Sequence, residues 1–174
     1  MIKNNTTKYG LIAKIFHWVT FSFLIFQIPF GFYLSGLEFS MEKANFENYH
    51  SLSGVFIFYV VLARLIWKLL NPTPKSWDEN KLRRAIARTN YFLMYFFIIT
   101  IAISGLLKKF YIEEPVNLLF FTIQSSKAVF KLSDLFYRLH ELSNIILIVL
   151  ITLHVSATLY HHIFLKQKIL RKIT

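Results

Sequence analysis

HELSNIILIVLITLHVSATLYHHI, His140 to Ile163, is the stretch whose reading decides the fold. Its apolar run, Ile145 to Leu165, comes close to the roughly 20 residues that cross a hydrocarbon core. Ile, Leu and Val follow one another without strand alternation, so the run reads as a membrane helix. Three more runs read the same way: Ile12 to Leu34, Leu52 to Leu70 and Tyr91 to Leu107. The sequence therefore predicts an all-α integral membrane protein, a bundle of four transmembrane helices over about 11–35, 50–70, 88–108 and 140–166. Yet the quoted stretch also carries His140, His154, His161 and His162. Imidazoles inside a membrane segment ask for an explanation.

The chain of 174 residues has room for one domain, 1–174, and is 55% apolar with a net charge of +11. A basic soluble protein would point to nucleic acid. Here the basic residues flank apolar runs and form no groove-sized patch, so nucleic acid is excluded as a partner. Cysteine is absent, which excludes disulfides, thiolate metal sites and thioether-attached haem. The first apolar run is too long for a cleaved leader and lacks a small-x-small site, so it reads as a span. Of the 20 Lys and Arg residues, 14 fall on the side of the termini and 6 on the other. The bias places both termini in the cytoplasm, N-in and C-in, as a multi-pass membrane protein in contact with lipid.

The connections fit that plan. Asn71-Pro72-Thr73-Pro74 reads as a helix stop. In the long outer connection, Val129, Phe130, Leu132, Leu135, Phe136 and Leu139 have the spacing of an amphipathic helix lying on the membrane surface. That connection also holds Lys108, Lys109, Lys127, Lys131 and Arg138, nearly cancelled by Glu113, Glu114, Asp134 and Glu141. Attraction of an anionic donor would then depend on local clustering of the basic residues.

The intramembrane histidines are functional candidates by default, against the plainer reading of interhelical hydrogen bonds. His17 and His154 lie near the cytoplasmic ends of their helices, His50 and His140 near the outer ends. One pair thus falls at each of two depths. His140 and His154 are 14 residues apart, roughly 21 Å along one helix face. Two facing pairs suit two iron porphyrins, each bound by two imidazoles in the bundle core. These would be b-type haems with no open coordination position, which favours electron transfer over catalysis on the metal. Gly31, 14 residues after His17, and Gly54, one turn after His50, would make room for the cofactors or serve helix packing. Arg64, 14 residues after His50, would pair with a haem propionate or a quinone carbonyl, or else snorkel to the interface. A zinc-protease helix is excluded because Asn144 stands where His140-Glu141 needs a second histidine.

Several segments together resemble the bacterial cytochrome b561 family of small di-haem membrane proteins. They are His17-Trp18, Gly31-Phe32-Tyr33-Leu34, His50-Ser51-Leu52-Ser53-Gly54, Ala63-Arg64-Leu65-Ile66-Trp67-Lys68 with Pro72-Thr73-Pro74, and His140-Glu141 with Leu153-His154 and Ala157 to His162. They cover all four helices in order. The resemblance implies that His17 and His154 ligate an inner haem b and His50 and His140 an outer one, two haems per chain. It also implies electron transfer with membrane quinone. Superoxide or another small one-electron donor would deliver electrons from the periplasm, and ubiquinone would accept them, as in a superoxide oxidase. The third helix departs from the family pattern, with Arg88 and Tyr91 near expected histidines and Ala102 near an expected proline.

Within that reading His161, seven residues after His154, would relay a proton to quinone or bond a haem propionate, while His162 would lie at the interface. Two other functions remain open from the sequence. One is a haem-bearing membrane anchor subunit of a hydrogenase or dehydrogenase, with a protein redox partner. The other is a haem-free membrane protein whose histidines only join helices.

Overall fold

The computed structural model describes residues 1–75, 80–166 and 173. The tail residues Lys168, Arg171 and Lys172, counted above among the inner charges, lie outside the described residues. Four helices follow in order: α1 (Leu11–Ser35), α2 (Met41–Leu70), α3 (Lys81–Phe110) and α4 (Phe130–Ile163). A short antiparallel hairpin, β1 (Val116–Asn117) and β2 (Thr122–Ile123), joins α3 to α4. All four helices are long and apolar enough to cross a membrane.

Three helices start earlier than their apolar runs. Ser40 opens α2, its side chain accepting from the Lys43 N–H at 3.1 Å, with Glu42 in the first turn. Asn80 opens α3, its side-chain oxygen accepting from the N–H groups of Leu82 and Arg83. Helix α4 starts at Phe130, so the segment read as a separate surface helix is its first three turns. Ser133 there is buried and donates to the Lys108 carbonyl at 3.1 Å, tying α4 to the end of α3. The reason is common to all three. Hydropathy marks where a helix enters hydrocarbon, whereas caps and polar first turns mark where it begins. His50 and His140 therefore sit three turns inside continuous helices. The C-terminal end of α2 follows the proline rule: Asn71 is extended, φ −129° and ψ 147°, ahead of Pro72.

Four antiparallel helices bring the N-terminal segment and the α2–α3 connection to one end. The Lys75 N–H donates to the Thr6 carbonyl at 2.9 Å, and the Asn4 amide donates to the Pro72 carbonyl at 3.1 Å. The Trp18 indole N–H donates to the Ile173 carbonyl at 3.0 Å, adding the other terminus to the same end. At the opposite end Lys109 is buried, its ammonium donating to Asn48 Oδ1 at 2.8 Å and lying 3.5 Å from Glu114 Oε2. That lysine links α3, the start of α2 and the hairpin connection.

Side chains that face out, such as Phe26, Phe92 and Leu153, are apolar and exposed, as lipid contact requires. The packed centre joins Ile57 and Val61 of α2, Ile98 of α3 and Leu147 of α4, with Leu24 and Ile28 of α1 against them. Leu147 is 1% exposed at the middle of this cluster. Leu147→Ala leaves a void that rigid helices fill poorly, so stability should fall by about 2–5 kcal/mol. Unfolding in mixed micelles checks this, with Leu153→Ala, on the lipid face, expected to change stability far less.

Candidate functional site

The histidines are set on the bundle by a spacing of seven residues. Seven residues advance about 10 Å and return to within about 20° of the same face. In α1 the series is His17, Leu24, Gly31; in α2 it is His50, Ile57, Arg64. In α3 it is Tyr91, Ile98, Gly105, and in α4 it is His140, Leu147, His154, continuing to His161. Because the helices alternate in direction, these residues form three layers. The middle layer, Leu24, Ile57, Ile98 and Leu147, lies in the apolar core just described.

The outer layer consists of Gly31, His50, His140 and Gly105. The rings of His50 and His140 face each other with centroids 6.3 Å apart and planes at 67°. His140 Nδ1 lies 2.8 Å from the Ile101 carbonyl, which has no proton, so Nδ1–H donates and Nε2 keeps its lone pair. Gly105 makes this bond possible. A Cβ there would stand 3.1 Å from both Cε1 and Nδ1 of His140. Gly31 plays the same part opposite His50, where a Cβ would stand 3.2 Å from Cε1. His50 Nδ1 is buried without a hydrogen-bond partner among the described residues. Its backbone is held instead: the Gln27 amide donates to the His50 carbonyl at 2.8 Å, and Ser53 donates to Gln27 Oε1 at 2.6 Å.

The inner layer is built differently. Arg64 Nη2 lies 3.1 Å from His17 Nδ1, and since guanidinium only donates, Nδ1 accepts and the neutral ring carries its proton on Nε2. The same guanidinium lies 5.5 Å from the centre of the Tyr95 ring, and the Lys68 ammonium lies 5.0 Å from that ring. His154 packs edge-on against Tyr91 at 5.6 Å and lies within electrostatic reach of Arg64. Tyr9, just ahead of α1, closes this end. Burial above all, then Tyr91, raises its phenol above the usual range, with Arg64 pulling the other way. An arginine inside an apolar span is costly to insert, and its contacts with His17 and Tyr95 offset part of that cost.

Of the residues singled out in the sequence, Gly31, His50 and His140 meet in one layer, and His17, Arg64 and His154 gather in the other. Gly54 faces Gln27, where a Cβ would be in ordinary contact at 3.5 Å, so it is a helix-packing glycine in this structure. His161 stands in the last turn of α4, its ring edge-on to Tyr160 at 5.9 Å. His162 is half-buried, with Nδ1 enclosed and unpaired among the described residues, so it is no free interfacial group. Gly105, Gln27 and Tyr95 were not singled out. The 14-residue interval from Tyr91 to Gly105 was the signal available for the glycine. Among the outer basic residues Lys109 is buried, Arg138 bonds Asp134 at 3.0 Å, and Lys108 lies over the Tyr137 ring at 5.3 Å. Lys127 and Lys131 are exposed.

Four apolar helices that enclose a neutral imidazole pair at one depth and an imidazole–guanidinium cluster at another define an integral membrane redox scaffold. Residues 8–174 match the family model described as Prokaryotic cytochrome b561, and the chain belongs to that family. It is similar to "Cytochrome b561 homolog 2" of Escherichia coli (strain K12), 23% identical over 176 residues that cover 98% of this chain and 93% of the relative. Membership makes it a multi-pass bacterial membrane protein of transmembrane electron transfer, with haem b as its cofactor.

The outer layer fits such a group. His50 and His140 bring two imidazole rings within 6.3 Å of each other from α2 and α4, and imidazole is a normal ligand of haem iron. The His140 bond to a backbone carbonyl is the support a metal-bound imidazole usually has. The inner layer holds the right residues, but His17 presents Nε2 as a ligand only once Arg64 releases Nδ1. Gly105→Ala and Gly31→Ala should push the facing rings by a few tenths of an ångström and lower haem retention, whereas Gly54→Ala should retain haem at the parent level. Haem absorbance per chain after purification distinguishes the three variants.

Proposed function

We propose that the whole chain, residues 1–174, acts as one domain of the bacterial inner membrane, with both termini in the cytoplasm. It would carry electrons from a periplasmic one-electron donor to membrane quinone through two b haems, one held by His50 and His140, the other by His17 and His154. The observation that carries this is the His50–His140 ring pair at 6.3 Å, one imidazole from each half of the bundle. Haem iron held by two imidazoles supplies reversible one-electron transfer and has no free position for oxygen. The chain's own residues supply orientation and charge. Gln27 and Ser53 hold the His50 backbone, Ile101 holds His140, and Gly31 and Gly105 leave the rings room.

Arg64 supports the inward direction of flow. A cation hydrogen-bonded at the inner layer favours negative charge there, whereas Lys108 reaches the outer imidazole pair only through its field. We name superoxide as the donor and ubiquinone as the acceptor, a superoxide:ubiquinone oxidoreductase. Two superoxide anions give two dioxygen molecules, and the two electrons with two cytoplasmic protons convert quinone to quinol. His161, one further step of seven below His154, would pass a proton, and Arg64 would bond a quinone carbonyl.

The purified full chain should show a reduced-minus-oxidised b-type spectrum with two haems per chain; a ratio near one would overturn the two-site reading. His140→Ala should remove one haem and leave the other. Superoxide added to the oxidised protein should produce the reduced spectrum, and no reduction removes it as donor. His161→Ala should keep both haems while oxidation by a ubiquinone analogue slows about tenfold or more, the usual range for a proton-transfer group. Unchanged oxidation would take His161 out of the mechanism. Co-purification of a large periplasmic redox protein would reassign the chain as an anchor subunit.

A further inference from the structure

The connection between α3 and α4 contains an apolar hairpin that electron transfer does not require. From Pro115 to Ser126 there is no charged residue, and the tip reads Leu118-Leu119-Phe120-Phe121. Charge returns at both ends, with Glu113 and Glu114 before it and Lys127 after it. Four of its side chains are largely open: Leu119 is 46%, Phe120 82%, Phe121 59% and Ile123 40% exposed. A contiguous apolar patch of this kind marks a binding surface.

Depth identifies what covers it. The Tyr59 hydroxyl donates to the Leu118 carbonyl at 3.3 Å, and the Phe120 ring meets the Tyr59 ring at 5.9 Å. Tyr59 lies four residues beyond Val55, where α2 turns continuously apolar, which is about 6 Å further along the helix. Side chains lean toward a helix N-terminus, here the outer end, by only part of that distance. The tip is therefore level with the hydrocarbon part of α2. It is also outside the bundle, because nine residues separate His50 from Tyr59 and nine residues make half a turn of azimuth.

Part of the hairpin's backbone is already paired within the protein. Unpaired N–H and C=O groups are not tolerated against lipid. The hairpin pairs Val116 with Ile123 and Asn117 with Thr122, and the Leu118 N–H donates to the Phe121 carbonyl at 2.8 Å. The Leu119 N–H donates to Asn117 Oδ1 at 2.8 Å. At the neck the Gln124 amide donates to the Glu113 carbonyl at 2.6 Å, and buried Val116 fixes β1 to the protein. Leu119 has φ 70°, a left-handed conformation that a two-residue turn normally gives to Gly or Asn. A branched apolar side chain in that place is strained, and it keeps the tip of the turn apolar.

We propose that the hairpin Val116–Ile123 is a re-entrant membrane element, its tip seated among the acyl chains of the outer leaflet beside α2. The inference rests on the four-helix membrane fold and is independent of the donor and quinone assigned above. The chain has no cysteine, so Phe120→Cys and Ser126→Cys each introduce a single thiol. Both thiols belong to the same connection, so the orientation of the protein in proteoliposomes affects them equally. With a charged, membrane-impermeant maleimide, the thiol of Phe120→Cys should react at least about tenfold more slowly than that of Ser126→Cys, as hydrocarbon excludes the reagent. A fluorophore attached through Phe120→Cys should be quenched by nitroxide on lipid acyl chains and spared by aqueous iodide. Equal reaction rates, or quenching by iodide rather than by acyl-chain nitroxide, would overturn the proposal and leave the tip as a surface for a water-soluble partner. Phe121→Cys repeats both measurements should the first variant lose its helical circular dichroism.

Discussion

The hydrogen bond from His140 Nδ1–H to the Ile101 carbonyl is the contact on which the outer site depends. It crosses from α4 to α3, and it uses the second lone pair of a carbonyl already engaged in its own helix. Ser104 donates to the same oxygen at 3.0 Å, so the imidazole shares this acceptor with a hydroxyl. Ile101 and Gly105 are one turn apart, so the glycine opens the path by which the ring reaches the carbonyl. One missing Cβ, one carbonyl and one imidazole thus fix a tautomer. The lone pair on Nε2 and its direction follow from that.

The seven-residue spacing extends this local arrangement through the bundle. Helices that keep a repeat of seven wind around one another with a left-handed supercoil, so a layer established at one depth is re-established about 10 Å on. Here an imidazole layer is followed by an aliphatic layer and then by a mixed layer of imidazole, guanidinium and phenol. The aliphatic middle does more than fill space. Ile57, Ile98 and Leu147 form a dry partition between two polar sites, so neither can share the hydrogen-bond partners of the other. Each must be satisfied from its own depth.

How much of this is visible in the residues follows from what kind of group does the work. Four spans are legible because hydrocarbon selects for length and apolarity, and no other arrangement of those residues satisfies the backbone. The 14-residue intervals in α1, α2 and α4 are legible because His and Arg stand out in an apolar run. The matching interval in α3 joins a tyrosine to a glycine, neither of which looks unusual there. The partner of His140 leaves no mark at all, since every residue has a carbonyl and only the packing angle of α3 on α4 selects Ile101. The Arg64 contact with His17 is hidden for a related reason. An arginine with a long side chain reaches several targets, and the helix period says only which way it starts. The early starts of α2, α3 and α4 were missed because polar first turns in headgroup surroundings cost nothing and carry no hydropathy signal.

The two polar layers solve the same problem by opposite means, and the difference has a physical consequence. In the outer layer His140 gives its proton to a backbone oxygen and no charge is introduced. In the inner layer His17 accepts a hydrogen bond from a permanent cation, so a full positive charge stands beside it. Lys68, over the same Tyr95 ring, adds a second cation at the membrane boundary. Cations stand at both ends, Lys108 and Lys109 by the hairpin and Arg64 and Lys68 by the termini, but only Arg64 bonds a layer histidine directly. Coulomb interactions strengthen as the surroundings become less polarisable, so this asymmetry acts most strongly inside the bundle. A negative charge carried between the layers meets a gradient set by Arg64. The residue that satisfies His17 is in this way also the one that makes the two ends of the path unequal.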